Sequence, residues 1–260
     1  MGSSRTEADR AGDEAVRAFD EGRLALETEG WVLVRVAGAD AERWLQDIVT
    51  ADVVSLGPGD VVRSLLLGPT GRIRADFWIA RIDDGLLLLQ TPDQPRGIDE
   101  ILDPYVLSSD VTLERAQRGP ALVRAKEAWA IAPPDAPGSS LDVFETWRIS
   151  RGLARFPVDL DGDSLPAEAG LDEPPIIDRT KGCYLGQESV AKVRNFGHPT
   201  RVIIPVAAEG PVAAGEVALA DGIEVGLVTS TTGSEAIARI RWNARDAELR
   251  TPDGRVLRRG

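Results

Sequence analysis

Three clusters of turn-forming residues divide the chain between residues 57 and 85: Gly57-Pro58-Gly59-Asp60, Gly68-Pro69-Thr70-Gly71 and Asp83-Asp84-Gly85. Gly, Pro and Asp clusters of this kind interrupt regular structure and mark turns. The apolar segments 61–67, 72–81 and 86–90 that they leave are of strand length. The chain is therefore expected to fold here as consecutive strands joined by tight turns.

The segment 72–81 shows the clearest alternation of apolar and polar residues. Its apolar residues fall on one face of a strand, where successive side chains point to opposite sides; they are Ile73, Ala75, Phe77 and Ile79. Arg74, Asp76 and Trp78 share the other face. That face could line a cleft, or it could be a solvated face that carries a cross-strand ion pair.

The remaining pattern predicts an α+β fold. Helices are expected over 41–50, 95–106 and 141–151, and further strands over 31–36, 110–116 and 121–131. Residues 1–22 are expected to be a disordered or loosely helical tail, and residues 23–199 a folded body. From Arg201 onward, short apolar runs separated by Gly and Pro predict a small antiparallel β domain over 200–260.

Composition excludes several classes of protein. The 42 acidic and 30 basic residues give a net charge of −12, which disfavours direct nucleic-acid binding through Lys and Arg. No segment approaches the roughly 18 apolar residues of a membrane span, and the polar start is not typical of a secretory signal. One Cys rules out an intramolecular disulfide. A cytoplasmic protein without membrane contact is expected.

One short segment concentrates the rare reactive residues. Of three lysines, Lys181 and Lys192 lie close to the only cysteine, Cys183. A nearby cation lowers the pKa of a thiol, and the thiolate is the nucleophile. Gly182 and Gly186 allow backbone conformations closed to other residues. The segment therefore favours a reactive thiol beside the start of a helix, although a lone Cys is also often a buried structural residue.

Other chemistries fit the sequence less well. His198 precedes Pro199 in an extended connector, and a cysteine hydrolase would also need a third, orienting group. One Cys and one His cannot complete a structural zinc site, so no metal site is expected. The acidic run from Asp159 to Asp163 lacks the glycine and glutamate spacing of a calcium-binding loop.

The residues Lys181-Gly182-Cys183-Tyr184-Leu185-Gly186-Gln187-Glu188 resemble the K-G-C-Y-x-G-Q-E signature of the YgfZ family, whose members are folate-binding relatives of the glycine cleavage T-protein. The resemblance covers most of the chain. Further segments similar to the family are Gly38-Ala39-Asp40 through Trp44-Leu45-Gln46, Thr50-Ala51-Asp52-Val53, Pro69-Thr70-Gly71-Arg72-Ile73 with Asp76, Arg148-Ile149 with Gly152, and residues 222–230.

This resemblance implies a T-protein-like body that binds tetrahydrofolate in a central hole, followed by a C-terminal antiparallel β-barrel. It implies an accessory role in assembling or repairing iron–sulfur proteins, with tRNA-modifying radical enzymes among the clients. Cys183 would be the reactive thiol and Lys181 would stabilise its thiolate. Tyr184 would pack beside the thiol, and Gln187 and Glu188 would fix the turn. The folate would be bound near the following residues: Arg72, Arg74, Asp76, Trp78, Arg148 and Lys192.

Two positions depart from the T-protein pattern. Ala75 stands where T-proteins carry the first carboxylate of an Asp pair, and Ser150 stands where they carry a Glu that grips the pterin. Lys192 also replaces the usual Arg of YgfZ proteins, and Lys lacks the planar fork for bidentate contacts. The leading hypothesis is a folate-dependent accessory factor rather than an enzyme. The alternatives are a folate-dependent aminomethyltransferase and a folate-binding module with a structural Cys183.

Overall fold

The computed structural model describes residues 7–125 and 128–260, and in this part of the chain the strands form a nine-stranded sheet and a closed six-stranded barrel. The strands of the sheet are β1 (Ala25–Leu26), β2 (Val32–Ala37), β3 (Asp60–Leu67), β4 (Ile73–Ile82), β5 (Gly85–Gln90), β6 (Thr112–Arg115), β7 (Leu122–Ala125), β8 (Ala128–Ile131) and β9 (Gly138–Ser139). Their spatial order is β6-β2-β5-β4-β3-β8-β7-β1-β9.

The barrel takes the C-terminal part of the chain. Its strands are β10 (Arg201–Ala208), β11 (Val217–Ala220), β12 (Ile223–Thr232), β13 (Glu235–Arg241), β14 (Leu249–Arg250) and β15 (Val256–Arg259). The helices are α1 (Glu7–Asp20), α2 (Ala41–Gln46), α3 (Ile98–Leu102), α4 (Leu141–Ser150) and α5 (Gln187–Phe196). This arrangement confirms the predicted α+β fold with a C-terminal antiparallel barrel.

The strands expected from the turn clusters pair as antiparallel neighbours, β3 with β4 and β4 with β5. Arg63 lies opposite Trp78 in this register, and Leu65 lies opposite Asp76. The apolar face of β4 contributes Ala75, Phe77 and Ile79 to a core that also contains Trp44 and Leu45 of α2.

The opposite face of the sheet is covered by α1 and α4 and is unusually aromatic. Trp78 of β4 packs there with Trp129 of β8 and with Phe144 and Trp147 of α4. Aromatic rings held at 5–7 Å prefer edge-on or offset contacts, and the neighbours here lie tilted or edge-on to one another. This second core forms one side of the cavity described below.

The expectation of a tail over residues 1–22 requires correction. Residues 7–20 form helix α1, and Phe19 at its end is fully buried with its ring centre 5.0 Å from that of Trp147. Trp147 Nε1 also donates a hydrogen bond to Asp20 Oδ1 at 2.7 Å. The helix is therefore part of the body; residues 1–6 lie outside the described chain.

Two further expectations differ from the structure. The single strand expected over 121–131 is a pair of antiparallel strands, β7 and β8, in which Leu122 lies opposite Ile131. Residues 126 and 127 lie outside the described part. The helix expected over 41–50 ends at Gln46, because Thr50 is drawn into hydrogen bonds with β3. In the described chain, no helix has the length and apolar character to cross a membrane.

The body and the barrel share a hydrophobic core. Ile149 of α4 and Val190 of α5 pack in one cluster with Ile203 and Ile237 of the barrel. The barrel therefore supports the two helices that flank the K-G-C-Y segment.

Candidate functional site

The turn that presents the thiol is closed by Asp178. Its Oδ1 accepts hydrogen bonds from the backbone N–H of Thr180 at 2.6 Å, from the Thr180 hydroxyl at 2.9 Å and from the backbone N–H of Lys181 at 2.7 Å. Burial acts to raise the pKa of Asp178, but these bonds outweigh it and the pKa is lowered. Asp178 is thus an ionised cap that fixes the start of the motif.

Lys181 anchors the same turn to a distant part of the body. Its Nζ donates to the carbonyl oxygens of Val49 at 2.6 Å and Ala51 at 2.8 Å. Burial lowers the pKa of Lys181 to about 8, against the opposing charges of Asp52 and Asp178. The sequence suggested that this cation would stabilise the Cys183 thiolate. The structure instead directs its ammonium group to backbone carbonyls, so Lys181 acts as an anchor.

Cys183 is the exposed residue at the tip of this anchored segment. Gly182 before it is also exposed, and a Cβ at Gly182 would have no atom within 4 Å. Tyr184 after it is 8% exposed and packs in the shared core, with its ring centre 5.8 Å from Lys181 Nζ. Cys183 is therefore exposed to solvent. The nearest residues with side chains before and after it in the sequence, Lys181 and Tyr184, are held in place by contacts with the body.

The second motif glycine has a steric explanation. Gly186 has φ +79°, and a Cβ there would lie 2.6 Å from the carbonyl oxygen of Gly68. Gly71, in the same hairpin, has φ +75°, and its Cβ would lie 2.8 Å from Ser189 Cβ. The backbone at Gly186 therefore lies against the backbone of the Gly68–Gly71 turn. This contact holds the start of helix α5, which begins at Gln187, against the hairpin.

Gln187 and Glu188 occupy the first turn of α5. The Gln187 backbone N–H donates to Tyr184 O at 3.3 Å, and acidic Glu188 suits the positive end of the helix dipole. No side-chain hydrogen bond of either residue is found among the described residues. The turn is held by Asp178, Lys181 and Gly186 rather than by the expected side chains of Gln187 and Glu188.

A cavity of about 450 Å³ lies between the aromatic face of the sheet and the segment that leads into the motif. Its volume falls within the roughly 300–1,000 Å³ range of small-molecule sites. Residues that carry polar groups or aromatic rings into its wall are Asp52, Asp60, Arg63, Trp78, Arg124, Trp129, Phe144, Trp147, Arg148, Arg155 and Asp178. Asp178 links this cavity to the thiol-bearing turn, because it belongs to both.

The cavity wall contains an unsatisfied donor. Trp78 is 3% exposed, and its Nε1 has no hydrogen-bond partner in the described chain. A buried N–H without a partner costs about 1–3 kcal/mol, so such groups are rare and suggest an absent ligand or water. Flat aromatic walls with one free donor are suited to a planar heteroaromatic ring.

Asp76 is not free to contact a ligand in the cavity. It accepts a bidentate pair from Arg63, with Nε 2.8 Å from Oδ1 and Nη2 2.6 Å from Oδ2, and a bond from the Phe156 backbone N–H at 3.2 Å. Arg63 also donates to Ala154 O and lines the cavity. The cross-strand pair that was one interpretation of β4 is therefore present, and it presents Arg63 rather than Asp76 to the cavity.

Arg148 also lines the cavity, but all of its N–H groups are already hydrogen-bonded to other residues of the protein. Its five N–H donors go to both carboxylate oxygens of Glu145, to Leu153 O, to Asp159 and to Ser230. Because Asp159 also accepts hydrogen bonds from Ser230 on β12, Arg148 joins α4 to the barrel. It stabilises the wall and has no donor left for a cofactor.

Three other predicted folate contacts lie away from the cavity. Arg72 donates to Asp163 O and lines a separate surface groove. Arg74 is exposed and leans over Gly68, with Nε 2.9 Å from the position of a Cβ there. Lys192 is exposed on α5. Of the six predicted contacts, the structure brings Trp78 and Arg148 to the cavity wall, with Asp76 directly behind Arg63.

Sequence reasoning missed Arg63, Trp129 and Phe144 as cavity residues. They come from β3, β8 and α4, and their distances along the chain gave no sign that they meet. The number of tryptophans was a usable signal, because the chain has six Trp against two Tyr although aromatic residues make up only 5% of it.

Comparison with known proteins supports the resemblance. The CAF17, C-terminal beta-barrel domain matches residues 201–258, which contain the barrel. The chain is 26% identical over 230 residues to the tRNA-modifying protein YgfZ of Enterobacter sp. (strain 638), across 68% of this chain and 70% of that protein. It is 27% identical over 220 residues to the mitochondrial iron–sulfur cluster assembly factor IBA57 homolog of Mycosarcoma maydis, across 67% of this chain and 54% of that relative. The chain is thus similar to YgfZ and IBA57 proteins over about two thirds of its length, and its barrel matches the CAF17 C-terminal domain.

A solved structure has the same fold. The glycine cleavage system aminomethyltransferase T from Bartonella henselae superposes with a TM-score of 0.72 at 16% identity, covering 94% of this chain and 87% of that one. The expected T-protein-like architecture is thereby confirmed. At this level of identity the likeness concerns the fold alone.

Proposed function

We propose that the protein is a folate-binding accessory factor that supports iron–sulfur cluster assembly or repair through Cys183. The observation that carries the proposal is an exposed thiol on a turn that is anchored by Asp178 and Lys181. Asp178 also lines a cavity of a size that suits a small molecule. The IBA57 relative is an iron–sulfur cluster assembly factor and the YgfZ relative is a tRNA-modifying protein. The clients would include tRNA-modifying radical enzymes.

Tetrahydrofolate fits the chemistry of the cavity. The pyrimidinone ring of its pterin is flat and carries an acceptor nitrogen and a carbonyl oxygen, which suit the rings of Trp129 and Phe144 and the unsatisfied Nε1 of Trp78. Its glutamate tail is anionic. Arg63 and Arg155 on the same wall are each paired with a carboxylate, but Arg63 Nη1 and Arg155 Nη2 make no hydrogen bond to the described residues and could donate to the tail. An aromatic ligand bound here could accept a hydrogen bond from Trp78 Nε1, the one fully buried tryptophan nitrogen without a partner among the described residues.

Cys183 would act on a client or its cluster rather than on the folate ring. The thiol is exposed, and it is not among the residues that line the cavity. Two contacts link the cavity to the turn that carries the thiol. Asp178 lines the cavity and hydrogen-bonds the Lys181 backbone, and Lys181 Nζ donates to the carbonyl of Ala51, next to the cavity residue Asp52. A ligand bound in the cavity would thus contact Asp178, and through Asp178 it would affect the conformation of the turn that holds the thiol.

Aminomethyl transfer is poorly supported by the geometry. Ala75, at the position of the missing carboxylate, is fully buried in the core on the opposite face of β4 from Asp76. Asp76 is neutralised by Arg63. Ser150 hydrogen-bonds Trp147 O at 2.8 Å and lines a different cleft. No pair of free carboxylates therefore faces the cavity at these positions.

The folate proposal is tested by titrating tetrahydrofolate while tryptophan fluorescence is recorded. Trp78→Phe keeps a ring and removes the N–H, so we expect about tenfold weaker binding, the value of one hydrogen bond of about 1.4 kcal/mol.

Trp31→Phe is the matched control, since Trp31 packs 5.4 Å from Trp78 without lining the cavity. It should leave the affinity unchanged. Equal affinities of the wild type and Trp78→Phe would exclude a contact at this nitrogen, and absence of quenching in all three proteins would refute folate binding in the cavity.

A further inference from the structure

A groove at the junction of body and barrel is basic although the chain is strongly acidic. Four arginines line it, Arg72, Arg201, Arg241 and Arg245, against two carboxylates, Asp163 and Glu168. The whole chain carries a net charge of −12. The positive charge of the groove is therefore opposite in sign to the net charge of the chain.

The two carboxylates are already engaged. Glu168 accepts hydrogen bonds from Arg239 at 2.9 and 3.1 Å, and Asp163 faces Arg72 at 3.7 Å. Arg201 and Arg241 make no hydrogen bond or ion pair with any residue of 7–125 or 128–260 through their side chains. Glu224 lines the adjoining cleft and pairs with neither of them. Both guanidinium groups therefore remain available.

These two arginines lie directly opposite each other in the β10–β13 ladder. Residues opposite one another in an antiparallel pair have Cβ atoms about 4.5–5.5 Å apart, and like charges at such positions are destabilising. An anion held between the two groups would remove this repulsion. Guanidinium forks match the paired oxygens of carboxylates and phosphates.

We propose that Arg201 and Arg241 form a binding site for an oxyanion, a phosphate or carboxylate group of a small-molecule ligand. Stacking of a nucleobase is disfavoured because the aromatic ring of the groove is occupied. The His198 ring stacks on Trp242 at 4.9 Å with an interplanar angle of 8°, and Arg245 Cζ lies 4.6 Å from the centre of the same ring. His198 and Arg245 border the site, and Arg245 is also paired with Asp246 at 3.2 Å.

The test is isothermal titration calorimetry of the full chain with inorganic phosphate and, separately, with citrate, at constant ionic strength set by chloride. We expect saturable binding of at least one anion. Phosphate alone would identify a phosphate group as the ligand chemistry, and citrate alone would identify a carboxylate. Arg201→Gln and Arg241→Gln should each weaken binding about 10- to 100-fold, as expected for a charge-assisted hydrogen bond.

Arg118→Gln is the matched control, because it removes the same charge from an exposed site between β6 and β7 that does not line the groove. It should bind like the wild type. In the absence of added anion, Arg201→Gln and Arg241→Gln should melt no lower than the wild type, since the like-charge pair is gone. Failure of both anions to bind, or equal affinities for the wild type and the two groove variants, would overturn the proposal.

Discussion

The two glycines of the K-G-C-Y-x-G-Q-E segment should respond very differently to the same substitution. Gly186→Ala places a methyl group 2.6 Å from the Gly68 carbonyl oxygen at φ +79°. A left-handed conformation costs a residue with a Cβ about 1–2 kcal/mol, and overpacking against backbone adds about 1–3 kcal/mol. We therefore expect a loss of about 2–5 kcal/mol in the free energy of unfolding.

Gly182→Ala is the internal control for this loss. Its Cβ would meet no atom within 4 Å, and its φ lies outside the left-handed region. Its stability should be unchanged or increased by up to about 1 kcal/mol, because alanine restricts the unfolded chain. Urea denaturation followed by circular dichroism measures both variants. Stabilities within about 0.5 kcal/mol of each other would refute the close approach of Gly186 to the hairpin.

Three further perturbations test other contacts. Lys181 has a pKa of about 8 in the folded protein, below its ordinary value of 10.5, so the unfolded chain binds more protons between those values. The stability of the wild type relative to Lys181→Met should therefore rise as the pH increases from 8 towards 10.5, and a flat difference in urea denaturation would contradict this. Arg148→Met leaves the fully buried carboxylate of Asp159 without its charge partner and should cost about 3–5 kcal/mol, whereas a loss under about 1 kcal/mol would contradict its structural role. Phe19→Ala should cost about 3–5 kcal/mol in the same assay, while a stability equal to the wild type would return α1 to the status of a tail.

Much of the central sheet could be predicted because its signals are local. The turn at Gly68–Gly71 and the alternation from Ile73 to Ile79 depend only on neighbours in sequence. The observed β4, Ile73–Ile82, begins one residue after the predicted start and ends one residue after the predicted end. The antiparallel β domain after Arg201 was predicted for the same reason, since short apolar runs and turns recur there, whereas its closure into a barrel was implied only by the family resemblance.

Helix α1 could not be placed from its own sequence. Its acidic and polar composition resembles that of a solvated tail, and its attachment depends on Phe19, which fits between rings from β8 and α4. The apolar face of α1 is narrow, with Ala18 and Phe19 buried and Val16 partly buried, so its periodicity is easily overlooked among the charged residues. Tertiary packing, not helix propensity, accounts for this element.

The candidate site was only partly predictable because its contacts join distant segments. The proximity of Lys181 to Cys183 suggested a direct role at the thiol, yet the ammonium reaches a carbonyl 132 residues earlier in the chain. Likewise, Arg63 meets Asp76 only because the register of β3 and β4 brings them together. Sequence reasoning singled out the K-G-C-Y-x-G-Q-E segment, and the structure shows which contacts hold it in place.

The most direct test concerns Cys183 itself. A strain that lacks its own copy of this gene should be complemented with the wild type or with Cys183→Ser, and the activities of its iron–sulfur enzymes measured under oxidative stress. Because Cys183 is exposed, the substitution should change stability by no more than about 0.5 kcal/mol, which a melting curve of the purified variant checks. The account predicts that the stable serine variant fails to restore those activities, and full restoration by Cys183→Ser would contradict it.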